Sequence, residues 1–266
     1  MSFTLTFESF PQPDGPLRYA YVPWDSELYG FPFYELRCEG IRPEVIAQHL
    51  PSCLCHLSAG CSCLVYSRIP STAVASGRIL TENGFYVVET LLEIYLNPAR
   101  LTPIVQKQSL ERQLRPARES DLPQIVAIAT SAFSNDRLHL DPNLPRDKAD
   151  QRYANWVEQG VRTGEPVWIY EDVANGQCLG FFHCRQTALK AIDLSLAAVV
   201  REYQGSGIGA EMYQAVLTKY KEQGYRLATT RISVSNLGVL NLYARLAGFL
   251  IRGAMVTLHW FQAAAP

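Results

Sequence analysis

The residues whose spacing points to chemistry are Gln204-Gly205-Ser206-Gly207-Ile208-Gly209, followed by Ala210. They stand between an apolar, strand-like run from Ala191 to Val200 and a helix-like stretch from Glu211 to Gln223. The first amides of a helix have no intrahelical acceptor, and the helix dipole adds partial positive charge there. Glycines strip side chains from the approach, so phosphate oxygens can reach those amides; a pyrophosphate fits this arrangement without any lysine. Two other readings use the same residues. Gly205, Gly207 and Ala210 also satisfy the dinucleotide fingerprint, but that pattern expects a carboxylate about 20 residues onward. Arg226 to Ser233 offers Thr229, Thr230 and Arg231 instead. The glycines could also serve only to tighten a turn, at a backbone entropy cost that an ordinary turn does not require.

A second pattern runs from Asn236 to Phe249, as Asn-Leu-Gly-Val-Leu-Asn-Leu-Tyr-Ala-Arg-Leu-Ala-Gly-Phe. It reads as a short helix capped by Asn236, closed at Gly248 and followed by a strand, with Leu240 and Tyr243 three residues apart on one face. A tyrosine with an ordinary pKa near 10 is protonated at neutral pH and can donate its proton.

Together these segments resemble the GNAT superfamily of acyl-CoA-dependent N-acetyltransferases. Val199 to Met212 is similar to its coenzyme-binding signature, with Gln204 in the first position and Gly205, Gly207 and Gly209 behind it. Asn236 to Phe249 is similar to its asparagine, leucine-tyrosine and glycine-phenylalanine element, and Leu114 to Pro123 to its opening strand and turn; the likeness covers roughly Gln113 to Phe261. The resemblance implies acetyl-CoA as donor co-substrate and a small-molecule primary amine as acceptor. Val199 would pair with the pantetheine arm, and the amides of Gly205, Ser206, Gly207, Ile208, Gly209 and Ala210 would cradle the pyrophosphate. Asn236 would contact the coenzyme or only cap its helix; Tyr243 would be the general acid or only orient the coenzyme. A peptide or protein acceptor, and a noncatalytic coenzyme-binding protein, stay open.

A narrower likeness is to the two-domain dTDP-fucosamine acetyltransferases, which act on the amine of a nucleotide-linked 4-amino-4,6-dideoxy sugar. It is carried by Trp24 to Gly30, by Ala132-Phe133-Ser134-Asn135-Asp136-Arg137, and by Tyr153 with Trp156. Asp136, Arg137 and His139 are then candidates for acceptor recognition, against the alternative of a solvated loop. Asp193 is a candidate general base or a solvated strand residue. His183 reads as a sheet residue, and Tyr29 and Phe31 as core rather than groove.

The elements around these residues predict a mixed α/β sheet. Residues 113–266 are expected to form a GNAT acyl-CoA N-acyltransferase domain, after a smaller, degenerate GNAT-like α/β domain at 1–112 that shapes the acceptor side, with Thr102 to Glu111 as the link. Strands are predicted at Leu17–Val22, Tyr34–Cys38, Cys61–Tyr66 and Phe85–Leu96, and a helix at Pro43–Leu50. In the second half, helices are predicted at Asp121–Phe133, Asp147–Glu158 and Val239–Leu246. Strands are predicted at Val167–Glu171, Cys178–Arg185, Ile192–Val200, Tyr225–Ile232 and Val256–Phe261, with a hairpin turn at Asn175-Gly176.

Lys and Arg total 24 against 25 Asp and Glu, a formal net charge of -1 with no long basic block, which gives extended nucleic-acid binding no electrostatic support. No basic-then-apolar leader and no apolar run of about 20 residues is found, so the expectation is a cytoplasmic protein without membrane contact. Family analogy suggests a homodimer. The seven cysteines include Cys53-Leu54-Cys55-His56 and Cys61-Ser62-Cys63, each pair one residue apart. Structural zinc sites use two to four, so no metal is expected, and Cys61 and Cys63 read as same-face residues of one strand.

Overall fold

The computed structural model describes residues 5–101, 111–245 and 248–263. Apart from Glu111, the expected interdomain link at Thr102–Glu111 lies outside the described residues, as do Leu246 and Ala247. The chain packs as two compact units. One comprises Met1–Leu91, Leu140–Lys148 and Gly253–Pro266, the other Leu92–His139 and Ala149–Arg252. The units therefore interleave in sequence, where the sequence reading draws one boundary at 112/113.

The first unit opens with β1 (Glu8–Phe10) and β2 (Leu17–Tyr21), then α1 (Pro23–Tyr29), β3 (Phe33–Arg37), α2 (Pro43–Ser58), β4 (Cys63–Pro70), α3 (Val74–Glu82) and the start of β5 (Tyr86–Leu96). β1 to β3 pair antiparallel and β3 to β4 parallel. α2 starts at a proline, as helices favour. It runs eight residues past the predicted end at Leu50, with Pro51 inside it. An interior proline costs about 3 kcal/mol, but Cys53, Leu54 and Leu57 lie beyond it and bury in one cluster with Leu17, Leu36 and Val65. Burial of such side chains contributes about 1.5–3 kcal/mol each and outweighs the break. The same-face reading of Cys61 and Cys63 is corrected: β4 begins only at Cys63, so Cys61 precedes the strand and is exposed while Cys63 is buried.

The second unit contains β6 (Arg112–Pro116), α4 (Leu122–Ala132), α5 (Arg137–Leu140) as far as His139, α6 (Arg146–Arg162) from Ala149 onward, β7 (Val167–Asp172), β8 (Cys178–Ala188), β9 (Ala191–Val199), α7 (Ile208–Glu222), β10 (Leu227–Ser233) and α8 (Leu237–Tyr243). β11 (Phe249–Gln262) returns to the first unit, where it pairs antiparallel with β4 from Met255 to Gln262. Within the second unit the strand order is β5-β10-β9-β8-β7-β6. The β7–β8 hairpin turns through Gly176, whose φ of 70° favours glycine. On one face of this sheet α7 buries Ile208, Met212, Val216 and Tyr220, spaced by four along the helix. On the other face Ile125 and Ala129 of α4 and Val157 of α6 cover Val167, Ile169, Phe181 and Leu196. No helix among the described residues is long and apolar enough to cross a membrane.

Candidate active site

The glycine turn lies where β9 leaves the sheet. Gly205 and Gly207 have φ of 80° and 96°, left-handed values that side chains rarely adopt, and Gly207 is the residue before α7. A Cβ built on either would meet nothing within 4 Å. The two glycines therefore owe their identity to backbone conformation and to the open space in front of them. Gly209 differs: its Cβ would sit 3.7 Å from Val199 Cγ2, so it lets α7 pack closely on the end of β9.

The amide of Ser206 donates to the Tyr203 carbonyl, and that of Glu211 to the Gly207 carbonyl. The amides of Gly205, Gly207, Ile208, Gly209 and Ala210 donate to no acceptor among the described residues. No side chain caps this helix end. Gln204 turns the other way, its Nε2 donating to the Val199 carbonyl at 3.1 Å. The result is a cluster of free N–H groups at a helix start, the arrangement that favours an anion.

Beside this cluster two strands diverge. β9 and β10 pair in parallel only at Ala191–Leu227, Ile192–Ala228 and Asp193–Thr229, although β9 continues to Val199 and β10 to Ser233. One residue further, the Thr230 hydroxyl donates to the Leu194 carbonyl at 2.9 Å. On its other edge β9 carries a bulge: the partners along β8 step from Leu196 to Leu194 between His183 and Cys184, leaving Ser195 as the extra residue. Asp193 stands where the parallel pairing ends, accepting from the Ser195 hydroxyl at 2.7 Å and the Thr229 hydroxyl at 3.3 Å. Its carboxylate is held in place rather than freely solvated.

Asn236 caps α8, its side-chain oxygen accepting from the Val239 amide at 3.2 Å. Tyr243, at the end of α8, is 1% exposed. Its ring meets Tyr213 edge-on at 5.2 Å and lies 6.1 Å from Phe249. Burial foremost, with the neighbouring Tyr213 hydroxyl, raises the Tyr243 pKa well above its ordinary value, so the phenol keeps its proton.

The polar residues on the α4/α6 side are bound rather than loose. The solvated-loop alternative for Asp136, Arg137 and His139 is corrected: Arg137 and His139 are buried on α5. His139 Nδ1 donates to Asp136, and Nε2 to Asp150 at 3.0 Å. Burial opposes the charge on this imidazole, but the two carboxylates raise its pKa overall. Phe133 and His139 both stack on Tyr153. His183, on β8, is fully buried and donates from Nε2 to Glu165 at 2.6 Å. In the first unit Tyr29 and Phe31 pack against Phe33 and each other. Ser195, Glu165 and Asp150 are not among the residues the sequence marks out, and Thr229 enters there only as the absence of a carboxylate. Ser195 had a signal, two residues from Asp193 on a strand, whereas the others meet their partners only through the fold.

This is a mixed α/β fold of the GNAT type. Residues 124–249 match the acetyltransferase (GNAT) family. The spore coat polysaccharide biosynthesis protein SpsD of Bacillus subtilis is 22% identical over 183 residues, 68% of this chain and 61% of that protein, so the match spans under two thirds of the relative. An L-methionine sulfoximine/L-methionine sulfone acetyltransferase of Pseudomonas aeruginosa is 29% identical over 150 residues, 55% of this chain and 84% of that one. A GCN5-related N-acetyltransferase from Sphaerobacter thermophilus shares the fold, with a TM-score of 0.65 at 14% identity over 95% of this chain and 79% of its own.

Proposed function

We propose that this chain transfers an acetyl group from acetyl-CoA to the primary amine of a small molecule, and that the acceptor is a nucleotide-linked amino sugar. The observation that carries the reading is the set of five unpaired amides at the start of α7, next to a strand that has parted from its parallel neighbour. Open space at Gly205 and Gly207 fits a pyrophosphate against those amides. Val199 and Gln204 define the strand end beside it, and Asn236 steadies α8. The coenzyme supplies an acetyl thioester. Asp193 takes the proton from the acceptor's amine, and Tyr243, kept protonated by burial, is the acid for the leaving thiolate. The sugar class is supported by the polysaccharide role in the name of SpsD and by the resemblance of Trp24 to Gly30 and Ala132 to Arg137 to segments of amino-sugar-nucleotide acetyltransferases. The first 112 residues are read as a degenerate copy of the same fold, on their alternation of strands and helices and the parallel β3–β4 pair.

Calorimetric titration with acetyl-CoA, then thiol release against amino sugar nucleotides, polyamines, amino acids and peptides, tests this. Saturable binding with turnover on a sugar nucleotide is the expected result; turnover on peptides alone overturns the acceptor class, and no coenzyme binding overturns the whole reading. Tyr243→Phe is expected to lower kcat about 100-fold and leave the acetyl-CoA Kd unchanged. Unchanged kcat would make Tyr243 a packing residue.

A further inference from the structure

The first turn of α7 holds a carboxylate as well as the free amides. Glu211 closes that turn, its amide donating to the Gly207 carbonyl at 3.1 Å, so it lies one helical turn beyond the glycine that opens the helix. A carboxylate there ordinarily steadies a helix by meeting the positive end of its dipole. Where the same field is to hold an anion, it also repels the ligand. In this protein that charge is met by two donors: Glu211 Oε2 accepts from Arg112 Nη1 at 2.8 Å and from the Tyr170 hydroxyl at 2.8 Å. Arg112 opens β6, the edge strand of the second unit's sheet. Leu114, two residues on, pairs with Tyr170, and both pack in the cluster under α7, so Arg112 stands on that same face. The side chains of Arg112 and Glu211 are 30% and 14% exposed, which shields the pair in part from solvent. Burial first, with the Glu211 carboxylate, raises the Tyr170 pKa, so its hydroxyl keeps the proton it donates. Apolar side chains would join β6 to α7 at least as well as a partly buried ion pair, so the charges ask for a use.

We propose that Arg112 sets the affinity of the α7 start for the pyrophosphate of acetyl-CoA by neutralising Glu211. This rests on the transferase reading above. Arg112 is a positioning residue: it acts on the coenzyme through Glu211, holding that carboxylate toward the sheet and offsetting its charge within a turn of the amides that receive the phosphates. Glu211 keeps its value to the helix, since the pair as a whole is neutral and the dipole still meets an acidic group. Glu202, before the glycine turn, is exposed next to an exposed Arg201, where water and salt screen it. The carboxylate of the first turn has no such screening, and the arginine 99 positions away in sequence takes its place.

The test is calorimetric titration with acetyl-CoA of Arg112→Met, Glu211→Gln, the double variant and Tyr170→Phe, each at low and at high salt. Arg112→Met keeps an apolar stem against α7 and frees the carboxylate; its Kd should rise about tenfold at low salt, with the deficit shrinking as salt is added. Glu211→Gln leaves Arg112 as an unopposed cation, so its Kd should fall about threefold. The double variant should return to within about twofold of wild type, and Tyr170→Phe, which removes a donor without changing charge, should stay within about twofold as well. A pair that only docks β6 on α7 gives a different order, because breaking it from either side then weakens binding. Glu211→Gln binding more weakly than wild type, or Arg112→Met binding equally well at low salt, overturns the proposal. If Arg112→Met does not fold, the direction of the Glu211→Gln shift and its salt dependence decide. A wild-type protein that does not bind acetyl-CoA overturns the transferase reading itself, and this one with it.

Discussion

Replacing Gly207 with glutamate is expected to weaken acetyl-CoA binding by about 100-fold or more, equivalent to roughly 2.7 kcal/mol, without unfolding the protein. Two costs combine. A non-glycine residue at a φ of 96° is strained by about 1–2 kcal/mol. The new side chain also enters the open space in front of the free amides and sets a carboxylate against a pyrophosphate. Gly207→Ala carries only the first cost and should lose about tenfold, since 1.4 kcal/mol is a factor of ten. Calorimetric titration of the two variants separates strain from charge. Wild-type affinity in Gly207→Glu would place the phosphates elsewhere.

The second large effect is on stability and lies in the first unit. Asp141 and His259 are 118 positions apart, and both side chains are fully buried, with His259 Nδ1 donating to Asp141 at 2.6 Å. The Tyr86 hydroxyl donates to the same carboxylate at 2.9 Å, and Asn143 donates its backbone amide to Asp141 and its side-chain amide to Tyr86. Truncating one partner of a buried ion pair costs about 3–5 kcal/mol, so His259→Ala is expected to lower Tm by about 10 °C. Burial pushes the Asp141 pKa up, but the His259 hydrogen bond, the Asn143 amide and Tyr86 bring it below its ordinary value. The sign follows: with the folded pKa depressed, the stabilisation is present above the unfolded carboxyl value near 3.9 and is lost as pH falls through the folded one. The Tm gap between wild type and variant should therefore narrow below about pH 4. Thermal melts across that range check it, and equal Tm values at neutral pH would show that the pair contributes nothing.

What was legible in the sequence was local. The loop from Gln204 to Gly209, the hairpin turn at Gly176 and the apolar face of α7 follow from glycine chemistry and helical period, which need no partner. The predicted helix at Pro43–Leu50 stops short of Pro51, whereas the burial of Cys53, Leu54 and Leu57 that carries α2 on to Ser58 is tertiary. β11 extends seven residues before the predicted start at Val256, through Arg252 and Gly253, which break the apolar pattern. The pairs Asp141–His259, His139–Asp150 and His183–Glu165 join residues that no spacing rule links. Charged groups with unremarkable neighbours in sequence give no sign that they will be buried together.

The burial of His183 has a further consequence for anyone altering this protein. Helix α6 lies over the ring by omission of a side chain, since a Cβ on Gly160 would come 2.9 Å from Nε2, so positions 160 and 183 form one unit of variation. An alanine at 160 collides with an imidazole at 183 yet has room over a smaller residue, so each change can be harmful alone and harmless together. Combinatorial libraries that randomise 183 with 160 fixed would sample only the half of that landscape in which an aromatic ring fits under a bare helix.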